Sequence, residues 1–123
     1  MGDITKPFSR WELSCNCGEC DDDCEMDPAM LEMLEQARVE SDTSYTVTSG
    51  YRCPKHQESI RRPTSSHPKG LAVDIYTPNS RKRFLVLSGL MAAGCRRMGI
   101  GKEFIHADCD PDKAPGVIWG YYD

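Results

Sequence analysis

The segment SSHPKGLAVD places His67 and Asp74 seven positions apart, with mostly small residues between them, in a chain of 123 residues that has only three histidines. Asp74 interrupts the apolar run LAVDIY. A buried, unpaired carboxylate is costly unless a cation or hydrogen bonds satisfy it, so something positive is expected beside Asp74. His106 lies likewise inside an apolar run, EFIHAD, behind Phe104 and Ile105. Together His67, Asp74 and His106 supply two imidazoles and one carboxylate. Around a tetrahedral zinc that set leaves a fourth position open for water, as in catalytic sites, whereas structural zinc is more often closed by four protein ligands. Glu103, three residues before His106, points to the opposite face if the strand is extended, so it joins the site only from a turn, which Gly99 and Gly101 permit. From there it would accept a proton from water whose pKa a metal lowers to about 7. Each residue alone has a plainer reading: His67 as a solvated loop residue, Asp74 paired to an arginine, His106 as a satisfied core histidine. Their co-occurrence favours the metal site.

The elements that must position these residues are legible in outline. DPAMLEMLEQARVE reads as a helix, with Asp27 as N-cap, Pro28 in the first turn, and Met30, Leu31, Leu34 and Ala37 as its core-facing stripe. In SYTVTSGY, Tyr45 and Val47 alternate with Thr46 and Thr48, as in a half-buried strand ending at Ser49-Gly50. RCPKHQESIRRPTSSHPKG has three prolines and is expected to be mainly irregular, with at most a short helical turn between Lys55 and Ile60. LAVDIY suits a central strand, and TPNSRKRFLVLSGLMAAG a helix with Phe84, Leu87, Leu90 and Met91 on its apolar face and Gly94 as its stop. GIGKEFIHADC reads as one further strand after a glycine turn, and VIWGYY as a short aromatic strand. The expected class is α+β, a small antiparallel sheet flanked by helices.

Composition bounds the rest. With 39% apolar and 28% charged residues the chain fits one ordinary globular domain, residues 1–123, and a net charge of −4 argues against general affinity for nucleic acid. No stretch approaches the roughly 18 to 20 apolar residues of a membrane span, and MGDITKPFSRWELSC has no basic region followed by an apolar run. Synthesis in the cytoplasm without a signal peptide is therefore expected, as a monomer with no nucleic-acid or membrane partner. Seven cysteines leave at least one thiol unpaired. Four of them, Cys15, Cys17, Cys20 and Cys24, crowd a loop at 15–24, where a structural zinc, disulfides and reduced thiols all stay open. Cys53, Cys95 and Cys109 are most simply small core residues.

SSHPKGLAVD fits the pattern S-x-H-x-x-G-x-A-x-D. With TSGYRCPKH before it and FIHAD and Trp119 after it, the chain resembles the zinc D-Ala-D-Ala carboxypeptidase family. That family includes VanY-like vancomycin-resistance enzymes and phage L-alanyl-D-glutamate endopeptidases, and it shares its fold with the hedgehog signalling domain. The likeness runs from Phe8 to Trp119. It implies a hedgehog/DD-peptidase-like fold, with His67, Asp74 and His106 as ligands of a zinc cofactor and Glu103 in the place of the catalytic acid/base. It also implies that Arg52, in SGYRCP, binds substrate near the scissile carbonyl, where a guanidinium can stabilise an oxyanion. Ser65 either shapes the turn or touches substrate, the turn role being favoured. Asp108 is the runner-up for the base, although a carboxylate at that spacing more often orients the histidine. His56 falls near the cleft without binding metal. Gln57 and IRRPT replace the glycine-rich turn and asparagine of many relatives, giving a more basic substrate-side loop. The implied activity is hydrolysis of an amide bond in the peptidoglycan stem peptide next to a D-amino acid, as a carboxypeptidase or a phage endolysin-type endopeptidase acting on the cell wall. The rival readings are a non-catalytic zinc domain and a phage structural protein on the same scaffold.

Overall fold

Helix α1, Pro28–Ser41, begins where the sequence places its cap. Asp27 is extended, and its carboxylate accepts hydrogen bonds from the Ala29 N–H at 2.8 Å and the Met30 N–H at 3.4 Å, two donors that the first turn would otherwise leave unmatched. The helix ends at Asp42, whose left-handed backbone (φ 54°) lets its N–H reach the Val39 carbonyl. Met30, Leu34 and Ala37 are fully buried as expected, with Leu31 packed at the margin and Met33 added to the stripe. This computed structural model describes Leu13, residues 26–51 and residues 66–121. Arg52, Ser65, His56, the segment Lys55 to Ile60, Cys53 and the four clustered cysteines lie outside the described residues.

Helix α2, Ser80–Ala92, is capped by the Asn79 side chain, which accepts from the Lys82 N–H at 2.8 Å. Its buried face differs from the expected one. Phe84 and Met91 are exposed, at 66% and 52%, while Val86, Gly89 and Leu90 are buried. The reason is steric: a side chain at Gly89 would meet Ser41 Oγ and the Ala37 carbonyl oxygen, so α2 crosses α1 at its glycine, a contact that no apolar stripe reveals.

Among the described residues five strands form one sheet: β1 Val47–Ser49, β2 Ala72–Tyr76, β3 Arg97–Ile100, β4 Phe104–Asp108 and β5 Val117–Gly120, in the order β1-β2-β4-β3-β5. The expected wholly antiparallel sheet is corrected to a mixed one, because β5 pairs parallel with β3 while the other neighbours are antiparallel. The single strand expected over GIGKEFIHADC becomes the hairpin β3-β4, closed by a hydrogen bond from the Gly101 N–H to the Phe104 carbonyl at 2.8 Å. β3 was hidden because Arg96 and Arg97 break any apolar alternation.

Alternate residues divide the sheet into two faces. Val73, Ile75, Met98, Ile105 and Ala107 join Met30, Leu34, Ala37, Val86 and Leu90 in one core, so both helices cover the same face. The intervening residues, Asp74, His106 and Asp108 among them, stand on the other. Gly89→Ala should force the two helices apart and cost about 1 to 3 kcal/mol. Urea unfolding should show a lower midpoint at unchanged slope.

Candidate metal centre

Strand register brings the candidate ligands together. Asp74 pairs directly with His106, His106 with Gly99, and Gly99 with Trp119, so these four residues form one row across β2, β4, β3 and β5. His67 arrives from a separate element, a 3-10 turn over His67–Lys69 that Gly70 ends in the left-handed conformation (φ 72°). His67, Asp74 and His106 offer ligand atoms within 4.8 Å of one another, and they are the metal-competent cluster among the described residues.

Hydrogen bonds determine which atom each ligand presents. His67 Nδ1 lies 2.7 Å from the Gly50 carbonyl, an acceptor, so Nδ1 carries the hydrogen and Nε2 turns toward Asp74, 3.5 Å from Oδ1. His106 is set the other way round. Its Nε2 lies 2.8 Å from Asp108 Oδ2 and donates to it, which leaves Nδ1 facing Asp74 Oδ1 at 3.1 Å. Zinc bonds of about 2.0 to 2.1 Å in a tetrahedral shell imply ligand-to-ligand spacings of roughly 3.3 Å. The 3.1 and 3.5 Å separations around Asp74 Oδ1 bracket that value, so the spacing about Asp74 is compatible with zinc.

Electrostatics agree with the geometry. Burial raises the pKa of Asp74, but its close contacts with His106 and His67, which favour the carboxylate whenever either ring is positive, outweigh it and hold the carboxyl well below the usual carboxylate range. Burial opposes charge on His106, yet the flanking carboxylates of Asp108 and Asp74 win and raise its pKa. Asp108, itself buried, is held ionised because its contacts with His106 and Arg97 overcome desolvation.

Two supports had no sequence reading. Asp110, 2% exposed, accepts from Ser66 Oγ at 2.8 Å and Lys69 Nζ at 2.9 Å, locking the His67 turn to the loop that follows β4. Arg97 reaches Asp108 across the hairpin at 2.7 Å. The signal was present in HADCD, where His106 and Asp108 alternate onto one strand face and Asp110 follows at the same spacing just beyond the strand. Glu103 lies in the bend before β4, exposed, with its carbonyl accepting from the Thr77 N–H. It is not part of the cluster, and three strand residues set its backbone roughly 10 Å from that of His106. Cys95 is buried in the core and Cys109 packs against it, as the sequence suggested. Burial pushes the Cys109 thiol up to about 11, which makes it a poor nucleophile.

The peptidase M15 family model matches residues 6–108, most of the chain and all three candidate ligands. The protein therefore belongs to the peptidase M15 family. No curated protein and no solved structure matches the chain, so membership rests on the family model.

Gly99 supplies one test of this geometry. A Cβ there would lie 2.6 Å from the Trp119 ring, which stands 5.6 Å from the His106 ring, centroid to centroid. Gly99→Ala should displace the indole, shift tryptophan fluorescence and lower the melting temperature. Asp110 supplies a second. Burial would raise its pKa, but Lys69 and Ser66 hold it at about 2, below the 3.8 of a free carboxyl. Its stabilisation is therefore complete above about pH 4 and lost as pH falls toward 2. Asp110→Asn should flatten that part of the acid-unfolding profile, measured by circular dichroism.

Proposed function

We propose that the protein is a zinc metallopeptidase that hydrolyses an amide bond in the peptidoglycan stem peptide next to a D-amino acid. The observation that carries this reading is the His67, Asp74 and His106 cluster, with each imidazole's tautomer directed at Asp74, in a chain of the peptidase M15 family. The open fourth position expected of such a ligand set suits catalysis better than a structural role. Zinc held there supplies Lewis-acid chemistry, polarising the scissile carbonyl and lowering the pKa of water. Glu103, which stands on the bend outside the ligand cluster, is the carboxylate we assign to take the proton from the attacking water and pass it to the leaving amine nitrogen, a role that requires its side chain to reach back toward the site. Arg52 donates to the carbonyl oxygen as negative charge develops on it. Trp119, half-buried beside His106, walls one side of the site. The setting we propose is the cell wall, as for the phage endopeptidases that the motif resembles.

Mass spectrometry of purified peptidoglycan fragments after incubation with zinc-loaded protein tests the reading directly. Release of a terminal D-alanine identifies a carboxypeptidase and cleavage inside the stem an endopeptidase, whereas intact fragments at full zinc occupancy defeat the proposal. Glu103→Gln should lower turnover by about 10² to 10⁴ while zinc stays bound. Undiminished hydrolysis would remove Glu103 from the mechanism. Chelation should lower the melting temperature, and zinc should restore it. Zinc affinity should fall as pH drops through the raised His106 titration, because protons then compete for Nδ1.

A further inference from the structure

We infer that Arg97 is a positioning residue for the metal centre: it holds the Asp108 carboxylate with Oδ2 turned to His106, and so decides which His106 nitrogen faces the metal position. The inference rests on the metal-centre reading above and adds to it what Arg97 does for the ligand that Asp108 contacts. Arg97 Nε donates to Asp108 Oδ1 at 2.7 Å, and its second nitrogen donates to the Ala114 carbonyl at 2.6 Å. Its guanidinium carbon lies 4.9 Å from the centre of the Trp119 ring. One side chain thus joins β3, β4, β5 and the loop before β5. A planar guanidinium held at three points has little freedom, and it passes that order to the carboxylate it grips. Asp108 Oδ1 also accepts from the Asp110 N–H, at 3.2 Å, a longer and uncharged contact. Oδ2 is left for His106 Nε2 at 2.8 Å. Both flanking carboxylates only accept, so the one hydrogen of the neutral ring goes to the shorter contact, at Asp108, and Nδ1 keeps its lone pair on the Asp74 side, where a metal would need it.

The arrangement has a consequence that a purely structural Arg97 would not produce. In Asp108→Asn the amide oxygen should stay with Arg97 and the Asp110 N–H, which puts the amide NH2 against Nε2. That NH2 can only donate, so the hydrogen moves to Nδ1 and points at Asp74, where a metal needs a lone pair. Replacing Arg97 as well, by the apolar and similarly long methionine, removes the stronger of the two donors. The asparagine can then turn its oxygen toward Nε2 and restore the original tautomer, against the Asp110 N–H alone.

The experiment compares wild type, Asp108→Asn, Arg97→Met and Arg97→Met/Asp108→Asn. Long-range ¹⁵N–¹H correlation spectra of the metal-free proteins, recorded on the alkaline side of the His106 titration, read the tautomer. Chelator competition reads zinc affinity, and circular dichroism verifies folding. Wild type should show Nε2–H. Asp108→Asn should show Nδ1–H and bind zinc about 10- to 100-fold more weakly. The double variant should return to Nε2–H and bind zinc severalfold more tightly than Asp108→Asn does. A double variant as weak as Asp108→Asn, or weaker, overturns the inference, because two purely structural losses would add. So does an Asp108→Asn protein that keeps Nε2–H, a result that stands even if the double variant does not fold. A wild type that binds no zinc defeats the metal-centre reading instead, and the tautomer of the metal-free protein separates the two failures.

Discussion

The carboxylate of Asp74, held between two imidazoles in the middle of a sheet, is the constraint around which the rest of the structure is arranged. Its side chain is 16% exposed, and its Oδ1 lies 3.1 Å from His106 and 3.5 Å from His67. A charge in that position is tolerable only if its partners are positive, or are joined to it by a cation. The β2-β4 register supplies His106 directly opposite. The 3-10 turn supplies His67 from outside the sheet. Loss of either imidazole would remove one of the contacts that hold the carboxylate, so the candidate metal ligands also bear on fold stability.

The surrounding structure reads as the means of holding that arrangement still. The helices cover the opposite face, leaving the ligand row on the face they do not cover. Polar ties do what an apolar core cannot do there. The Gly50 carbonyl fixes His67, Asp108 fixes His106, and Asp110 fastens the His67 turn to the loop after β4. Every one of these partners is backbone or a carboxylate, both strong acceptors, and together they settle the tautomers. Such outer contacts govern affinity nearly as much as the ligands do.

What the sequence disclosed follows from the range of each signal. Asp27 as cap, the stripe Met30, Leu34 and Ala37, and the strand around Asp74 are local patterns, and they appear where expected. Two of the three candidate ligands were legible because Asp74 and His106 interrupt apolar runs, while His67, in the turn before the first of those runs, stood out only by its residue type and its place in the motif. The β3 strand, the parallel pairing of β5 and the glycine crossing of α1 and α2 were not legible. Each is set by tertiary contact rather than by local periodicity: arginines mask β3, and Gly89 matters only because Ser41 stands opposite it. Arg97 was overlooked for a related reason. A lone arginine in CRRMGI carries no local mark, and its role exists only once the hairpin folds it onto Asp108.

The row Asp74, His106, Gly99, Trp119 shows how a site of this kind tolerates its own strong electrostatics. Charge is concentrated at one end, on β2 and β4, and an aromatic wall closes the other, on β5. Gly99 between them has no side chain, so the indole of Trp119 can lean over β3 to within 5.6 Å of the His106 ring. Water is thereby displaced from one side of the imidazole, and less screening by solvent strengthens the attraction between His106 and the two carboxylates that flank it. Arg97 stacks on the same indole while it binds Asp108, which keeps its positive charge engaged by that carboxylate. A cation can therefore be favoured at the ligand atoms even though an arginine lies two hydrogen bonds away.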